Sequence, residues 1–163
     1  MRHQGEPQTF EELIKEHERL IYKVCRLYTR TPDDRQDLFQ EIVMQLWKAF
    51  PAFRGDAKFT TWLYRVSLNT AITHLRKQKT FPGTGLLPID SAIEMPAQEH
   101  DERWDEMHKA IEQLNHVEKA IVMLYMEDKT YNEMEEIIGI STGGIRVKMS
   151  RIKKKLREII NTN

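Results

Sequence analysis

The sequence predicts an all-α protein built as two small helical domains joined by a flexible acidic linker. Apolar residues recur at three- and four-residue steps before residue 80 and again after residue 103, the period of amphipathic helices. The β-branched alternation of strands runs nowhere for long. Between the two periodic blocks Pro82, Gly83, Gly85, Pro88 and Pro96 interrupt any helix and acids accumulate toward Glu99, Asp101 and Glu102, the composition of a tether. The expected boundaries are a first domain over 9–80, a linker over 81–103 and a second domain over 104–160.

Phe10, Leu13, Ile14, His17, Leu20, Ile21, Val24, Leu27 and Tyr28 keep helical spacing after Thr9, whose partner Glu12 completes a capping box, so one helix is expected here. Thr31-Pro32-Asp33-Asp34 breaks it and supplies acids suited to the next N-terminus. The second helix carries Leu38, Ile42, Val43, Leu46, Trp47 and Phe50 on its apolar side, with Asp37, Gln40, Glu41, Met44, Gln45 and Lys48 around the rest, and Pro51 stops it. Phe53 to Phe59 reads as a loop, because Gly55 and Asp56 punctuate it. A long helix from about Thr60 to Lys79 then has two stripes, apolar Tyr64, Leu68, Ala71 and Leu75, and polar Arg65, Asn69, Thr73 and Arg76, with Trp62 near its start.

Past the linker, Trp104, Met107, Ala110, Ile111 and Leu114 make one helix and Val117, Ala120, Ile121, Leu124 and Tyr125 another. Thr130-Tyr-Asn-Glu133 has the form of a capping box, Met134, Ile137 and Ile138 follow, and Gly139 suits the left-handed end of that helix. Ser141 caps the last helix, where Ile145, Met149, Ile152, Leu156 and Ile159 share a stripe and Arg146, Lys148, Arg151, Lys153, Lys154, Lys155 and Arg157 face outward against the single acid Glu158. A short helix, a glycine turn and a basic helix form the helix-turn-helix, whose second helix enters the major groove of DNA. A basic amphipathic helix is also commonly just a solvated face; the two caps and the turn favour the DNA reading.

Net charge is zero, but residues 1–80 carry +4, residues 81–139 carry −10 and residues 140–163 carry +6. Two basic ends around an acidic middle suit contact with phosphate at two places. The lone Cys25 forms no internal disulfide, and a polar, acidic N-terminus without a membrane-length apolar run implies a cytoplasmic protein with no membrane insertion.

Phe53, Arg54, Lys58, Phe59, Trp62, Arg65, Asn69 and Arg76 combine rings, cations and an amide, the mixture that holds unpaired strands by stacking and phosphate pairing. The same rings serve equally well as plugs between helices. Asp37, Gln40, Glu41, Met44 and Lys48 lie near one another on a helix and suit either solvent or a protein partner. For catalysis, metal or cofactor binding the expectation is none. The chain has no P-loop, no His-Glu-x-x-His and no Cys pair, and Asp105-x-x-His108 lacks the repeat of a di-iron bundle.

Asp37-Leu-Phe-Gln-Glu-Ile-Val-Met-Gln-Leu-Trp-Lys-Ala-Phe50, Phe53-Arg-Gly-Asp56, Phe59-Thr-Thr-Trp-Leu-Tyr-Arg-Val-Ser-Leu-Asn69 and Leu75-Arg-Lys77 closely resemble region two of bacterial sigma factors of the extracytoplasmic-function (ECF) group. Leu114 through Met134, followed by Gly143-Gly-Ile-Arg-Val-Lys-Met-Ser-Arg-Ile-Lys-Lys-Lys-Leu156, resembles region four of the same group. The resemblance implies a subunit that docks on core RNA polymerase and gives it promoter choice. It gives Asp37, Gln40, Glu41 and Met44 to polymerase docking. Phe53 to Phe59 would hold a base flipped from the non-template strand of the minus-ten element, with Asn69 contacting that strand. Arg146, Val147, Ser150 and Arg151 take base- and phosphate-contacting positions in the minus-thirty-five duplex, with Lys148 and Lys153 nearby.

The acidic tether, with Asp90, Glu94, Glu99, Asp101 and Glu102, resembles the family's linker in the RNA path. Members are often held inactive by an anti-sigma factor. Three positions depart from the family's habit: Glu135 stands for Ala, Gly144 for Thr and Asn115 for Pro, and they bear on the sequence that region four reads. A stand-alone helix-turn-helix regulator with a sensing or dimerising N-terminal bundle is the competing expectation. It would bind its operator tightly without polymerase, and a helical enzyme or metal carrier is a third.

Overall fold

The computed structural model describes residues 8–80 and 102–162, and every regular element among them is helical. Eight α-helices follow in order: α1 Phe10–Glu16, α2 Glu18–Tyr28, α3 Pro32–Ala49, α4 Phe59–Thr80, α5 Glu102–Ile111, α6 His116–Met126, α7 Tyr131–Ile138 and α8 Thr142–Thr162. A 3-10 turn, Phe50–Ala52, follows α3 around Pro51. Asp90, Glu94, Glu99 and Asp101 of the acidic tether, and the side chains of Glu102 and Trp104, lie outside the described residues.

The single first helix expected from its period is two. At His17 the backbone leaves the helical region (φ −110°, ψ 13°) and the imidazole Nδ1 donates to the Leu13 carbonyl at 2.9 Å. The ring packs on Phe59, 4.9 Å between centroids, so a tertiary contact holds the break that the apolar spacing alone conceals. The capping box at Thr9 forms in full, with Thr9 N donating to Glu12 and Glu12 N to the Thr9 hydroxyl. Thr31 caps α3 with Pro32 in the first turn, where its missing N–H costs nothing.

Leu38, Phe39, Ile42 and Leu46 of α3 meet Leu63, Tyr64, Leu68 and Ala71 of α4 and Ile21, Val24, Cys25 and Leu27 of α2 in a sealed interior. Phe39 and Leu63 belong to that interior although the expected stripes omit them. Trp47, expected inside, is 58% exposed. Its position is about 100° around the helix from Leu46, so burying the Leu38–Ile42–Leu46 ridge turns it outward. Its ring meets Phe10 edge-on at 5.1 Å. Burial pushes the Cys25 thiol up to about 12, against a smaller opposing effect of Arg35.

In the C-terminal helices, Ile111, Leu114, Ala120, Ile121, Leu124, Met134, Ile137, Ile145, Met149 and Ile152 are buried. Met107 and Tyr125, expected on core stripes, are instead largely exposed. Asn115 N-caps α6 with a complete capping box to Glu118, which supplies a local reason for Asn at a place where a proline is usual. The box expected at Thr130 is half formed: Thr130 accepts from Glu133 N, but the Glu133 carboxylate takes the Thr130 hydroxyl rather than its backbone N–H. Gly139 is left-handed (φ 82°) and Ser141 caps α8 by accepting from Gly144 N. A Cβ at Gly144 would meet Ile140 Cγ2 at 3.0 Å and Ser141 Oγ at 3.2 Å, so a side chain there requires Ile140 and the capping hydroxyl to give by a few tenths of an ångström.

Glu118, buried on α6, accepts from Lys155 Nζ at 2.9 and 3.2 Å and so ties α8 to α6. Burial acts to raise its pKa, but the Lys155 and Asn115 hydrogen bonds and the charges of Lys155 and Lys148 outweigh that and hold it below the ordinary value of 4.5. A depressed folded-state pKa stabilises the fold above the unfolded value and loses that contribution as pH falls through the folded one. Glu118→Gln should therefore flatten the decline in thermal midpoint between pH 6 and pH 3 relative to the parent chain. Parallel decline in the two proteins would refute the role.

Candidate nucleic-acid interface

The loop between the 3-10 turn and α4 is held by Gly55, whose left-handed φ of 79° suits glycine. It brings Phe53 back onto the start of α4. Phe53, Phe59 and Trp62 form a mutual cluster, with centroids 5.8 Å apart for Phe53–Phe59, 5.1 Å for Phe53–Trp62 and 5.5 Å for Phe59–Trp62. All three remain half-buried, while Arg54, Asp56 and Lys58 are exposed beside them. The rings thus anchor the loop and still offer edges to solvent, so the two sequence readings of them are not exclusive.

Along α4 the polar stripe stands as expected, with Arg65, Asn69, Thr73 and Arg76 all exposed. Asn69 opens onto a polar groove between α3 and α4 that Glu41, Gln45, Thr73, His74 and Lys77 also line. Gln45 Nε2 donates to Glu41 Oε1 at 3.1 Å, which leaves the Gln45 carbonyl as an acceptor in that groove. Glu41 is therefore turned toward Asn69. Asp37 and Met44 lie about 40° and 60° round α3 from it and Gln40 about 100°, all exposed or half-buried, and the exposed Trp47 continues that face beyond Gln40. Sequence spacing misses Trp47 because an indole is normally core; only its exposure reveals it.

The last helix sorts its cations. Arg146, Val147, Ser150 and Arg151 are exposed together, opposite buried Ile145, Met149 and Ile152. Arg146 lies over the Tyr131 ring at 5.7 Å, which restricts its reach to the α7 side. Val147, 52% exposed, presents an apolar tip of the kind that meets a thymine methyl. Lys153 instead lies over the Tyr125 ring at 5.4 Å, and half-buried Lys148 stands near Glu118. Exposed Lys154 and Arg157 share the outward face with Arg146, although the resemblance singles out only the N-terminal half of the helix.

Among the described residues there is no group of three or more His, Cys, Asp or Glu placed to hold a metal, and no helix long and apolar enough to cross a membrane. The arrangement offers hydrogen-bonding, stacking and charge, which are the means of binding.

Residues 13–81 match the family Sigma-70 region 2, and residues 104–156 match Sigma-70, region 4. The chain is similar to the ECF RNA polymerase sigma factor SigM of Mycobacterium tuberculosis, 24% identical over 157 residues that cover 96% of this chain and 79% of that protein. It is also similar to the RNA polymerase sigma factor SigV of Bacillus subtilis, at 26% identity covering 88% and 86%. In fold it resembles the sigma factor RpoE of Bartonella quintana in complex with the anti-sigma factor NepR, with a TM-score of 0.72, 20% identity and coverage of 94% and 98%. CnrH in complex with the cytosolic domain of CnrY gives 0.69, with 18% identity and coverage of 98% and 92%.

Proposed function

We propose a division of labour for a chain that belongs to the sigma-70 family, as an extracytoplasmic-function sigma factor that binds core RNA polymerase and directs it to promoters. Helices α1 to α4 dock on polymerase through Asp37, Gln40 and Met44, with Trp47 as the buried anchor of that contact. They hold the melted minus-ten strand through Phe53, Arg54, Lys58, Phe59, Trp62, Arg65, Asn69 and Arg76. Glu41 serves the groove beside Asn69 as well as the docking face. Helix α8 reads the minus-thirty-five duplex with Arg146, Val147, Ser150 and Arg151, joined by Lys154 and Arg157, while Lys148 and Lys153 brace the helix from behind.

One observation carries this reading: a half-exposed aromatic cluster beside a polar helical stripe, and a basic helix-turn-helix, occur on the same chain. Melting a duplex needs a favourable environment for each unpaired base, since unstacking and unpairing cost about a few kcal/mol per flipped nucleotide. Each stacked base returns ~1–3 kcal/mol. The helix-turn-helix faces an intact duplex, where phosphate contacts set register and base edges specify. The chain performs no chemical step in this scheme; it places DNA for the polymerase, and so works in the cytoplasm. The apolar groove bordered by Met107, Tyr125, Met126 and Ile160 gives α5, α6 and α8 a surface for a protein partner, polymerase itself or an anti-sigma factor.

Run-off transcription with core polymerase and a genomic promoter library tests the whole assignment. New start sites that depend on the added chain are expected. Tight operator binding by the chain alone, with no effect on polymerase, would favour a stand-alone regulator instead. Asn69→Ala and Phe53→Ala should each slow strand opening about fivefold or more, since the hold on one base is worth ~1–3 kcal/mol, while duplex binding by the helix-turn-helix stays intact. Equal losses in both assays would point to a damaged fold.

A further inference from the structure

The polar groove between α3 and α4 is uneven in its hydrogen-bonding chemistry. Glu41, Gln45 and Thr70 are half-buried in it, whereas Asn69 and Lys77 stand exposed at its rim. Glu41 is a carboxylate that only accepts, and one of its oxygens takes Gln45 Nε2 at 3.1 Å. That bond orients the Gln45 amide and leaves its carbonyl oxygen to the groove. Thr70 donates its only hydroxyl proton to the Val66 carbonyl at 2.7 Å, so it offers the groove lone pairs alone. The inner polar groups thus present oxygen acceptors, apart from the second amide hydrogen of Gln45. Half-buried Val66 adds an apolar wall against which a flat ring can lie.

Such a lining favours a ring that brings a donor. Adenine and cytosine carry an exocyclic amine where guanine and thymine carry a carbonyl oxygen. An amine placed here donates to the Glu41 carboxylate and the Gln45 carbonyl. A carbonyl oxygen in its place leaves both acceptors unpaired and faces a negative charge. The same pairings recur in the reading of base edges elsewhere, where Glu accepts from cytosine N4 and Gln pairs with adenine N6. The groove is distinct from the aromatic cluster, since none of Phe53, Phe59 and Trp62 lines it. Asn69 lies seven residues beyond Trp62, about 10 Å along α4, or up to roughly three nucleotide steps at ~3.4 Å each. Arg65, on the same stripe, donates through Nε to the Glu136 carbonyl at 3.0 Å and takes no part in this groove. Lys77 sets an ammonium at the rim, where it suits a phosphate.

We propose that this groove is a second base slot for the melted strand, one that selects an amino base, adenine or cytosine, over a keto base, guanine or thymine, with Glu41 and Gln45 as the discriminating residues. The proposal rests on the assignment of α4 to the minus-ten strand. It adds Gln45 to the residues that meet DNA, and it gives Glu41 a contact with a base.

The full chain assembled with core polymerase tests this on single-stranded minus-ten oligonucleotides, taken from promoters found by run-off transcription and carrying each of the four bases at each position in turn. At one position, adenine and cytosine should each bind about fivefold or more tightly than guanine and thymine, the lower end of discrimination by a good base contact. Hypoxanthine at that position, which exchanges the adenine amine for a carbonyl, should fall with guanine, and this comparison needs no variant. Glu41→Gln supplies an amide that donates, and should bring guanine and thymine up toward the amino bases. Gln45→Ala removes the oriented carbonyl and should erase most of the preference. Ratios between bases within one variant cancel any change in polymerase docking. No position with an amino preference, hypoxanthine binding as well as adenine, or a preference that survives both variants overturns the slot. Failure to find any promoter that depends on the added chain overturns the functional assignment beneath it.

Discussion

Replacing Arg146, Arg151 and Lys154 together with alanine should reduce the slope of log affinity against log salt for minus-thirty-five DNA by roughly 2.7, since each phosphate neutralised contributes about 0.9. Over a rise from 50 to 200 mM salt, that difference alone changes the ratio of parent to variant affinity roughly 40-fold. The three side chains are exposed and opposite the buried ridge of Ile145, Met149 and Ile152, so helix content and thermal midpoint should scarcely move. Fluorescence anisotropy across a salt series measures the slope directly. A large affinity loss with an unchanged slope would show that these cations read base edges instead, at about 1–3 kcal/mol for each good pair. Unchanged affinity at every salt would remove α8 from the interface.

The second large effect separates two neighbours on α3. Leu46 is fully buried, and Leu46→Ala should destabilise the protein by about 2–5 kcal/mol through lost transfer free energy and the cavity left behind. For a domain whose whole stability is about 5–15 kcal/mol, this is a loss visible at once in a urea midpoint. Trp47→Ala, one residue on, removes a ring that is mostly in water and should change stability little beyond its packing on Phe10. Affinity for core polymerase should nevertheless fall by about 30-fold or more, the result of truncating a tryptophan hot spot worth ≥ ~2 kcal/mol. Titration of labelled core with each variant at a temperature where both are folded gives the comparison. Equal polymerase affinity for parent and Trp47→Ala would show that this face docks nothing.

Helical existence and the order of elements are legible because the apolar period is strong, and the caps at Thr9, Gly139 and Ser141 obey local chemistry that a sequence displays. The break at His17 is not legible. It depends on a ring in Phe59, 42 positions away in the sequence, and tertiary contact overrides period there. Periodicity misplaces Trp47 and Met107 for a related reason: hydrophobicity reports preference for burial, whereas the direction a stripe faces is fixed by its neighbours. The site is partly visible. Arg65, Asn69 and Arg76 fall on one stripe by spacing alone, but the hold of Glu136 on Arg65 joins residues 71 apart and has no sequence signal. The cations of α8 are a similar case. Spacing groups seven of them, while Glu118 takes Lys155 and Tyr125 takes Lys153, so charge counted along the chain overstates what DNA can meet.

Cys25 lies at 0% exposure with its thiol raised to about 12. Only the thiolate attacks peroxides and disulfides, and burial keeps this thiol protonated at neutral pH. Oxidants that modify reactive cysteines elsewhere in a cell should leave this side chain untouched. A redox signal read by a cysteine thiol would therefore have to act on another molecule.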